Sequence, residues 1–341
     1  MTQEISLLPI VFAVLMGASI LAYVVLDGYD LGVGMLMPAA DEREQNLMVN
    51  SIGPFWDANE TWLVLGVGIL LVAFPLSHGV ILQALYLPVA GMLAGLMLRG
   101  VAFEFRMKAE GWQRGLWNWL FWFGSFLASF AQGVMLGRYI TGFEPGAGYY
   151  LFALLVGAAL CGGCVLLGAT WLIARTEGAL QQKALAWARW GLLWVGFGVA
   201  LVSIATPLVS ETVRLKWFNF PETLWLMALP AACAAAGIRV WLLTGNFLNR
   251  ENSTNKSKKT STSDWAPFGY AVAIFVLAFL GLAYSIFPWV VIDRIGIWEA
   301  AHPSSLKFVL WGTAIVLPFI VAYNVFAYRV FRGKARENLY D

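Results

Sequence analysis

Long apolar segments separated by short polar ones follow one another along the whole chain. Each is close to the ~20 residues that an α-helix needs to cross the ~30 Å hydrocarbon core of a bilayer. In lipid the backbone must satisfy its own hydrogen bonds, which favours helices. The pattern therefore predicts an all-α integral membrane protein of packed helical bundles. It places nine transmembrane helices at about residues 7–29, 56–75, 79–99, 116–137, 150–174, 188–209, 222–243, 267–290 and 307–328.

The polar segments between these predicted spans are short, which indicates one polytopic membrane domain over residues 1–341. The longest polar stretch, 249–263, is basic and low in complexity, and it predicts a cytoplasmic connector between two spans. Such a loop is more often a topology signal than a docking site. The N-terminus has Glu4 where a leader would be basic, so the first apolar segment is interpreted as a span.

Basic residues are distributed unequally between the two sides of the predicted membrane. Seventeen of the 22 lysines and arginines lie in the odd-numbered loops and the C-terminal segment. Positive residues in short loops accumulate on the cytoplasmic side. The distribution therefore predicts a periplasmic N-terminus and a cytoplasmic C-terminus.

Composition strengthens this interpretation. Of 341 residues 60% are hydrophobic and 12% are charged, against roughly 25% charged in soluble domains. Glycines four residues apart, such as Gly28 with Gly32 and Gly91 with Gly95, predict closely packed helices. The CGGC motif from Cys161 to Cys164 lies inside an apolar segment and is also interpreted as helix packing.

Four carboxylates, Asp27, Asp30, Asp57 and Glu60, lie beside segments that are otherwise apolar. On the predicted topology, the end of span 1, the start of span 2 and the end of span 3 meet at the cytoplasmic side. Asp27 and Asp30 are three residues apart, as are Asp57 and Glu60, so each pair shares a helix face if the helices extend that far. Because a charge at the bilayer centre costs roughly 2.5–3.5 kcal/mol, these groups must face protein, water or cations.

Two interpretations remain open for these carboxylates. The first is structural, with salt bridges and helix caps to basic partners, Arg99 and Arg106 being the natural candidates. The second is a proton entry path through sheltered carboxylates, for which Asp27 and Asp57 are the chosen residues. Paired carboxylates also serve ion-coupled transporters and channels, which is the alternative function.

Histidine is scarce, with only His78 and His302, both predicted in loops on the outer side. Haem-binding helical bundles need histidine or methionine ligands that face the interior. We therefore expect that this chain ligates no haem or metal ion. As an integral membrane protein, it is also expected to bind no nucleic acid.

Three motifs occur in order near the ends of spans 1, 2 and 3: DGYDLGVG, GPFWDANETW and RGVAFEFR. With the length and span count, they resemble subunit II of cytochrome bd-type quinol oxidases. The resemblance implies a bacterial cytoplasmic-membrane complex that oxidises quinol, reduces dioxygen to water and generates a proton gradient. It further implies an obligate heterodimer in which subunit I holds two b-type haems and one d-type haem. A small accessory subunit, a bound quinone and lipid are further expected partners.

The resemblance also assigns roles by motif position. Asp27 matches the first aspartate of one motif, and Asp57 resembles a proton-channel carboxylate at the interface with subunit I. Asp30 and Glu60 are added to the predicted route from their spacing, not from the resemblance. Trp62 matches a tryptophan at a proposed oxygen passage. The third motif contributes charge partners, Arg99, Glu104 and Arg106.

Two departures from the family pattern are present. Tyr29 replaces a usual phenylalanine, and Ala58 replaces a common glycine, without the loss of a titratable group. Ala58 is compatible with the cyanide-insensitive branch of the family.

Overall fold

In the computed structural model, residues 7–219, 226–251 and 264–335 are described, and almost all of them are helical. A single turn of 3₁₀ helix, Met37–Ala39, follows the first helix. The helices are α1 Leu7–Leu36, α2 Glu42–Ile52, α3 Trp56–Ala73, α4 Pro75–Ala84, α5 Tyr86–Lys108, α6 Trp112–Ile140, α7 Ala147–Arg175, α8 Gly178–Val209, α9 Glu211–Trp217, α10 Ala228–Glu251, α11 Ala266–Ile286, α12 Ile297–Ala300 and α13 Pro303–Val330. Two short antiparallel strands, β1 Trp289–Val291 and β2 Ile295–Gly296, form a hairpin.

Nine of the helices in the described residues are long and apolar enough to cross a membrane. They are α1, α3, α5, α6, α7, α8, α10, α11 and α13. The all-α membrane fold and the number of spans are therefore confirmed. The orientation of the termini in the membrane stays a prediction.

Several predicted boundaries were wrong. Helix α1 continues to Leu36, beyond the predicted end at residue 29. The third span begins at Tyr86, and the residues before it form α4, so His78 lies in a helix where a loop was expected. The eighth span ends at Ile286, because the chain turns into the β1–β2 hairpin.

The polar connector was predicted at 249–263. Helix α10 extends through its first residues to Glu251, and residues 252–263 lie outside the described part of the chain.

Helix α1 lies at the centre of the bundle, against α3, α6 and α7. At its closest approach to α7, a Cβ atom on Gly32 would lie 1.8 Å from the carbonyl oxygen of Cys164, and one on Gly168 would lie 2.5 Å from the Gly32 backbone. Only hydrogen fits there, so these glycines let the two backbones touch. The cysteines of the CGGC motif are free and buried, in agreement with a packing role.

The bundle has two distinct ends. One carries α2 and the end of α13, and we call it the cluster end because the charged site described below lies beside it. There α2 begins with a capping box, in which Asp41 accepts from the Glu44 backbone and Glu44 from the Asp41 backbone. The other carries the β1–β2 hairpin and the α6–α7 loop, and we call it the hairpin end; Arg294 pairs with Glu144 across it.

Candidate functional site

The polar motif residues converge between α1, α3 and α5. Because α1 continues to Leu36, Asp27 and Asp30 lie well inside a helix and are fully buried. The first turns of α3 contribute Asn59 and Glu60, and α5 contributes Arg99. We call these five residues, Asp27, Asp30, Asn59, Glu60 and Arg99, the charge cluster.

Arg99 is the only cation of the charge cluster and is 2% exposed. Its Nη1 atom lies 2.7 Å from Asp27 Oδ1, and its Nη2 atom bonds to Glu60 Oε1. Arg99 therefore joins all three helices through two ion pairs. Glu60 is 29% exposed, so it is the carboxylate of this set that reaches the surface of the chain.

Asp30 is held differently, by an amide. The Asn59 Nδ2 atom donates to Asp30 Oδ2 at 2.8 Å and to the Tyr29 hydroxyl at 2.9 Å, and it lies 3.2 Å from the Leu26 carbonyl oxygen. Its ion pairs leave Arg99 committed to Asp27 and Glu60. Asp30 thus receives one neutral hydrogen-bond donor in place of a direct ion pair.

The charge cluster contains more carboxylates than cations. It has three carboxyl groups and one guanidinium, which pairs with two of them, and each charge removed from water costs several kcal/mol unless it is paired. Asp30 Oδ1 is buried and accepts no hydrogen bond from the described residues. Buried polar atoms normally have partners, so the charge cluster leaves this oxygen without a compensating donor.

The structure places the remaining motif residues outside the charge cluster. Asp57 lies in the first turn of α3, is exposed, and shares its helix end with Glu60. Glu104 is exposed on α5. Trp62, on α3, is partly buried, and its indole nitrogen has no hydrogen-bond partner among the described residues.

Arg106 was expected as a partner of the carboxylates, and the structure directs it elsewhere. Its Nε atom donates to Asn118 at 2.5 Å and its Nη2 atom to Asn46 at 2.8 Å. These contacts tie α2 to α5 and α6 at the cluster end. Arg106 therefore holds α2 in place at the cluster end. The cation that pairs with carboxylates of the charge cluster is Arg99.

Sequence reasoning missed several polar residues that surround the charge cluster. Tyr29 and Tyr328, from α1 and α13, contact each other and Asn59. One turn before Asp27, the buried hydroxyl of Tyr23 accepts from Gln132 of α6 at 2.7 Å. Tyr29 of the DGYD motif could have been singled out from the sequence, since phenylalanine is usual at that position in the family. No sequence feature distinguished Tyr328 from the other tyrosines.

Both histidines lie toward the hairpin end of the bundle, away from the charge cluster. His78 lies in α4, beyond the far end of α3, and His302 precedes α13 at the hairpin end, where it bonds to Ser304 at 2.7 Å. In the described residues no group of three or more metal-ligating side chains comes together.

The family model for cytochrome bd terminal oxidase subunit II matches residues 8–331. The chain belongs to the cytochrome bd terminal oxidase subunit II family. The resemblance noted in the sequence is thereby confirmed, and the transporter alternative has no support.

Individual relatives agree with this family assignment. The chain is 28% identical to cytochrome bd-I ubiquinol oxidase subunit 2 of Escherichia coli K12, over 98% of this chain and 97% of the relative. It is 28% identical to cytochrome bd ubiquinol oxidase subunit 2 of Bacillus subtilis 168, over 94% and 95%. In fold it is similar to a chain of the bd oxidase from Geobacillus thermodenitrificans, with a TM-score of 0.75 at 15% identity, covering 96% of this chain and 99% of that one.

Proposed function

We propose that this chain works as subunit II of a bacterial inner-membrane complex that oxidises quinol and reduces dioxygen to water, in which it stabilises subunit I and provides proton access. The family match over residues 8–331 is the observation that carries the enzyme assignment. The charge cluster supports the proton role, since it brings three carboxyl groups into a bundle that is otherwise apolar.

The proposed proton route begins at the exposed carboxylate of Asp57 and passes through Glu60 to the buried Asp27 and Asp30. Exposure falls along this series, from the exposed Asp57 through the 29% exposed Glu60 to fully buried aspartates. Arg99 holds Glu60 and Asp27 on either side of one guanidinium. On the predicted orientation, protons enter this route from the cytoplasm.

Replacement of Asp57 tests this route. Asp57→Asn keeps the size of the side chain and removes its ability to carry a proton, so quinol-dependent oxygen consumption by the assembled complex should fall about tenfold or more. Glu104→Gln is the matched control, because Glu104 is also exposed and lies on a neighbouring helix. Unchanged turnover and unchanged charge translocation in Asp57→Asn would remove Asp57 from the route.

Trp62 is proposed to line an oxygen passage. Its partly buried indole, without a hydrogen-bond partner in the described residues, is compatible with an apolar lining. Trp62→Ala should change the apparent affinity for dioxygen in respirometry, and an unchanged affinity would assign Trp62 to packing.

The haems of the complex are proposed to belong to subunit I, as two b-type haems and one d-type haem. The positions of His78 and His302 support this division, since neither lies on a helix segment beside the charge cluster. A bound quinone, a small accessory subunit and tightly held lipid are proposed as further components.

Purification under gentle conditions tests the partnership. Affinity-purified material should contain a second, haem-bearing polypeptide, and its reduced-minus-oxidised spectrum should show b-type and d-type bands. Purification of this chain as a colourless protein that transports a solute by itself would contradict the assignment.

A further inference from the structure

Helices α8, α10 and α11 form a layer of the bundle with an excess of positive charge. Helix α10 packs between α8 and α11. The three helices contain four basic residues, Lys183, Arg189, Arg239 and Arg250, and one acidic residue, Glu251, the last of α10. Lys183 is paired with Glu44 of α2 at 2.6 Å. The charges of Arg189 and Arg239 are therefore not balanced from within this layer.

Arg189 of α8 lies against α10. Its Cζ atom is 4.2 Å from the centroid of the Trp241 ring. A Cβ atom on Gly245 would lie 3.0 Å from its Nη2 atom, so the glycine leaves room for the guanidinium. The Nε atom is buried and has no hydrogen-bond partner among the described residues. The aromatic ring attracts the cation but supplies no hydrogen-bond acceptor to this donor.

Arg239 occupies the other side of α10. It is exposed, and its Cζ atom lies 5.7 Å from the centroid of the Tyr270 ring of α11. Two residues separate it from Trp241, which is about 200° around the helix and ~3 Å along its axis. Both arginines therefore lie near one level of α10. Neither forms an ion pair within the described part of the chain.

This level coincides with the predicted edge of the membrane at the cluster end. Arg189 lies at the predicted start of the sixth span, and Arg239 lies near the predicted end of the seventh. Trp190 and Trp241 are exposed beside them. Tryptophan side chains are enriched where the hydrocarbon core meets the headgroups. The two guanidiniums are thus placed where phospholipid phosphates lie.

The chemistry of the surface favours a lipid over a soluble anion. Guanidinium groups bind phosphate oxygens through parallel N–H donors, and basic residues at the end of a span attract anionic lipids. From Arg239 toward the middle of the membrane, α10 exposes the small side chains of Ala231, Ala234 and Ala235, beside which an acyl chain can lie. A soluble acidic ligand has no apolar part to cover this face.

We propose that Arg189 and Arg239 hold the phosphate groups of anionic phospholipids on the two sides of α10, in the leaflet at the cluster end. This inference rests on the lipid component of the proposed function and names the residues that bind it. It does not depend on the proton route, since neither arginine belongs to the charge cluster.

Lipid binding is measured by native mass spectrometry of the intact complex in detergent, titrated with phosphatidylglycerol. Arg189→Gln and Arg239→Gln should each weaken the binding of one phosphatidylglycerol molecule about tenfold, as loss of a charge-assisted hydrogen bond predicts. Arg189→Lys keeps the charge without the planar donor geometry and should give an intermediate affinity. The double variant should lose both molecules, because the two sites lie on different sides of the helix.

Arg214→Gln is the matched control. Arg214 is an exposed arginine of α9, which follows α8 at the hairpin end, and it pairs with Glu211. Its replacement should leave the phosphatidylglycerol titration unchanged. The haem spectrum shows whether each variant assembles, and the exposed Arg239 provides the same test if Arg189→Gln does not assemble.

Two further ligands identify the source of the phosphate. Phosphatidylcholine carries a phosphate but no net negative charge, and it should bind about tenfold more weakly than phosphatidylglycerol. Inorganic phosphate has no acyl chain, and an equal concentration of it should not displace phosphatidylglycerol.

Two results would overturn the inference. One is an unchanged phosphatidylglycerol affinity in both arginine variants, and the other is displacement of the lipid by an equal concentration of inorganic phosphate. If the arginine variants bind lipid normally in a complex that still oxidises quinol, only the lipid sites fail. If no haem-bearing partner co-purifies, the proposed function fails, and the lipid titration of this chain still decides the inference.

Discussion

At the scale of single residues, the charge cluster depends on Arg99. A buried cation with two carboxylate partners stabilises a fold only while both sides are present, since removal of one side leaves uncompensated buried charge. The guanidinium is suited to this position because it offers several donors in a fixed plane. A lysine has the charge without the geometry to join Asp27 and Glu60 at once.

Substitution of Arg99 should therefore destabilise the complex. Arg99→Gln leaves Asp27 without its cation, and we expect a loss of roughly 3–5 kcal/mol of stability. Arg99→Lys should lie between Arg99→Gln and the natural protein. Thermal unfolding of the solubilised complex, followed by the haem spectrum, provides the measurement.

The control for this prediction is Arg332→Gln, because Arg332 is exposed. An Arg99→Gln complex as stable as the Arg332→Gln complex would show that the ion pairs contribute nothing.

Sequence patterns predicted only part of this site. Asp27, Glu60 and Arg99 stood out because charges are rare in apolar segments, and the order of the motifs placed them together. Asn59 and Tyr328 did not stand out, because a neutral side chain costs less in lipid than a charged one. Tyr328 is also one of 11 tyrosines in the chain. Arg106 was assigned to the wrong partners because its asparagine acceptors come from α2 and α6, which no local pattern connects to it.

At the scale of helices, the close contact between α1 and α7 positions the charge cluster. Gly32 lies between Asp30 and the end of α1, on the segment that touches α7. The spacing of Gly28 and Gly32 predicted close packing, but not which helix is the neighbour. Helix ends were less predictable, because an apolar segment continues through a turn such as that between α3 and α4 without a change in hydropathy.

A single methyl group at Gly32 should disrupt this contact. In Gly32→Ala the new Cβ atom would lie 1.8 Å from the Cys164 carbonyl oxygen, so α1 and α7 must separate. We expect a loss of at least ~2 kcal/mol, typical of severe overpacking, with a reduced yield of assembled complex in membranes.

Gly196→Ala is the control, since nothing lies within 4 Å of its Cβ position. Alanine is the better helix former, so this variant should be neutral or slightly stabilising. Equal yields for the two variants would show that close approach at Gly32 is unimportant.

At the scale of the whole molecule, the two ends of the bundle carry different structures. The cluster end carries α2 with its bonds to Arg106 and Lys183, and the hairpin end carries the Glu144–Arg294 pair. The number of spans was predictable from hydropathy alone. The β1–β2 hairpin was not, because its residues continue the apolar composition of α11.

Labelling of single cysteines tests the predicted orientation. The natural cysteines are buried, so a membrane-impermeant thiol reagent applied to spheroplasts should react with Glu144→Cys at the hairpin end and not with Arg332→Cys at the cluster end. Both positions are exposed. The reverse pattern would invert the topology and move the proposed proton entry to the periplasmic side.

The bond between Tyr29 and Tyr328 joins residues that are 299 positions apart. Helix α1 leaves the ribosome early in synthesis and α13 last, so the environment of Asp30 is incomplete until translation ends. Throughout membrane insertion, a nascent chain holds its buried aspartates without this final polar partner. Premature termination before α13 would thus leave an almost full-length polypeptide in the membrane in which Asp30 lacks Tyr328 from its native surroundings.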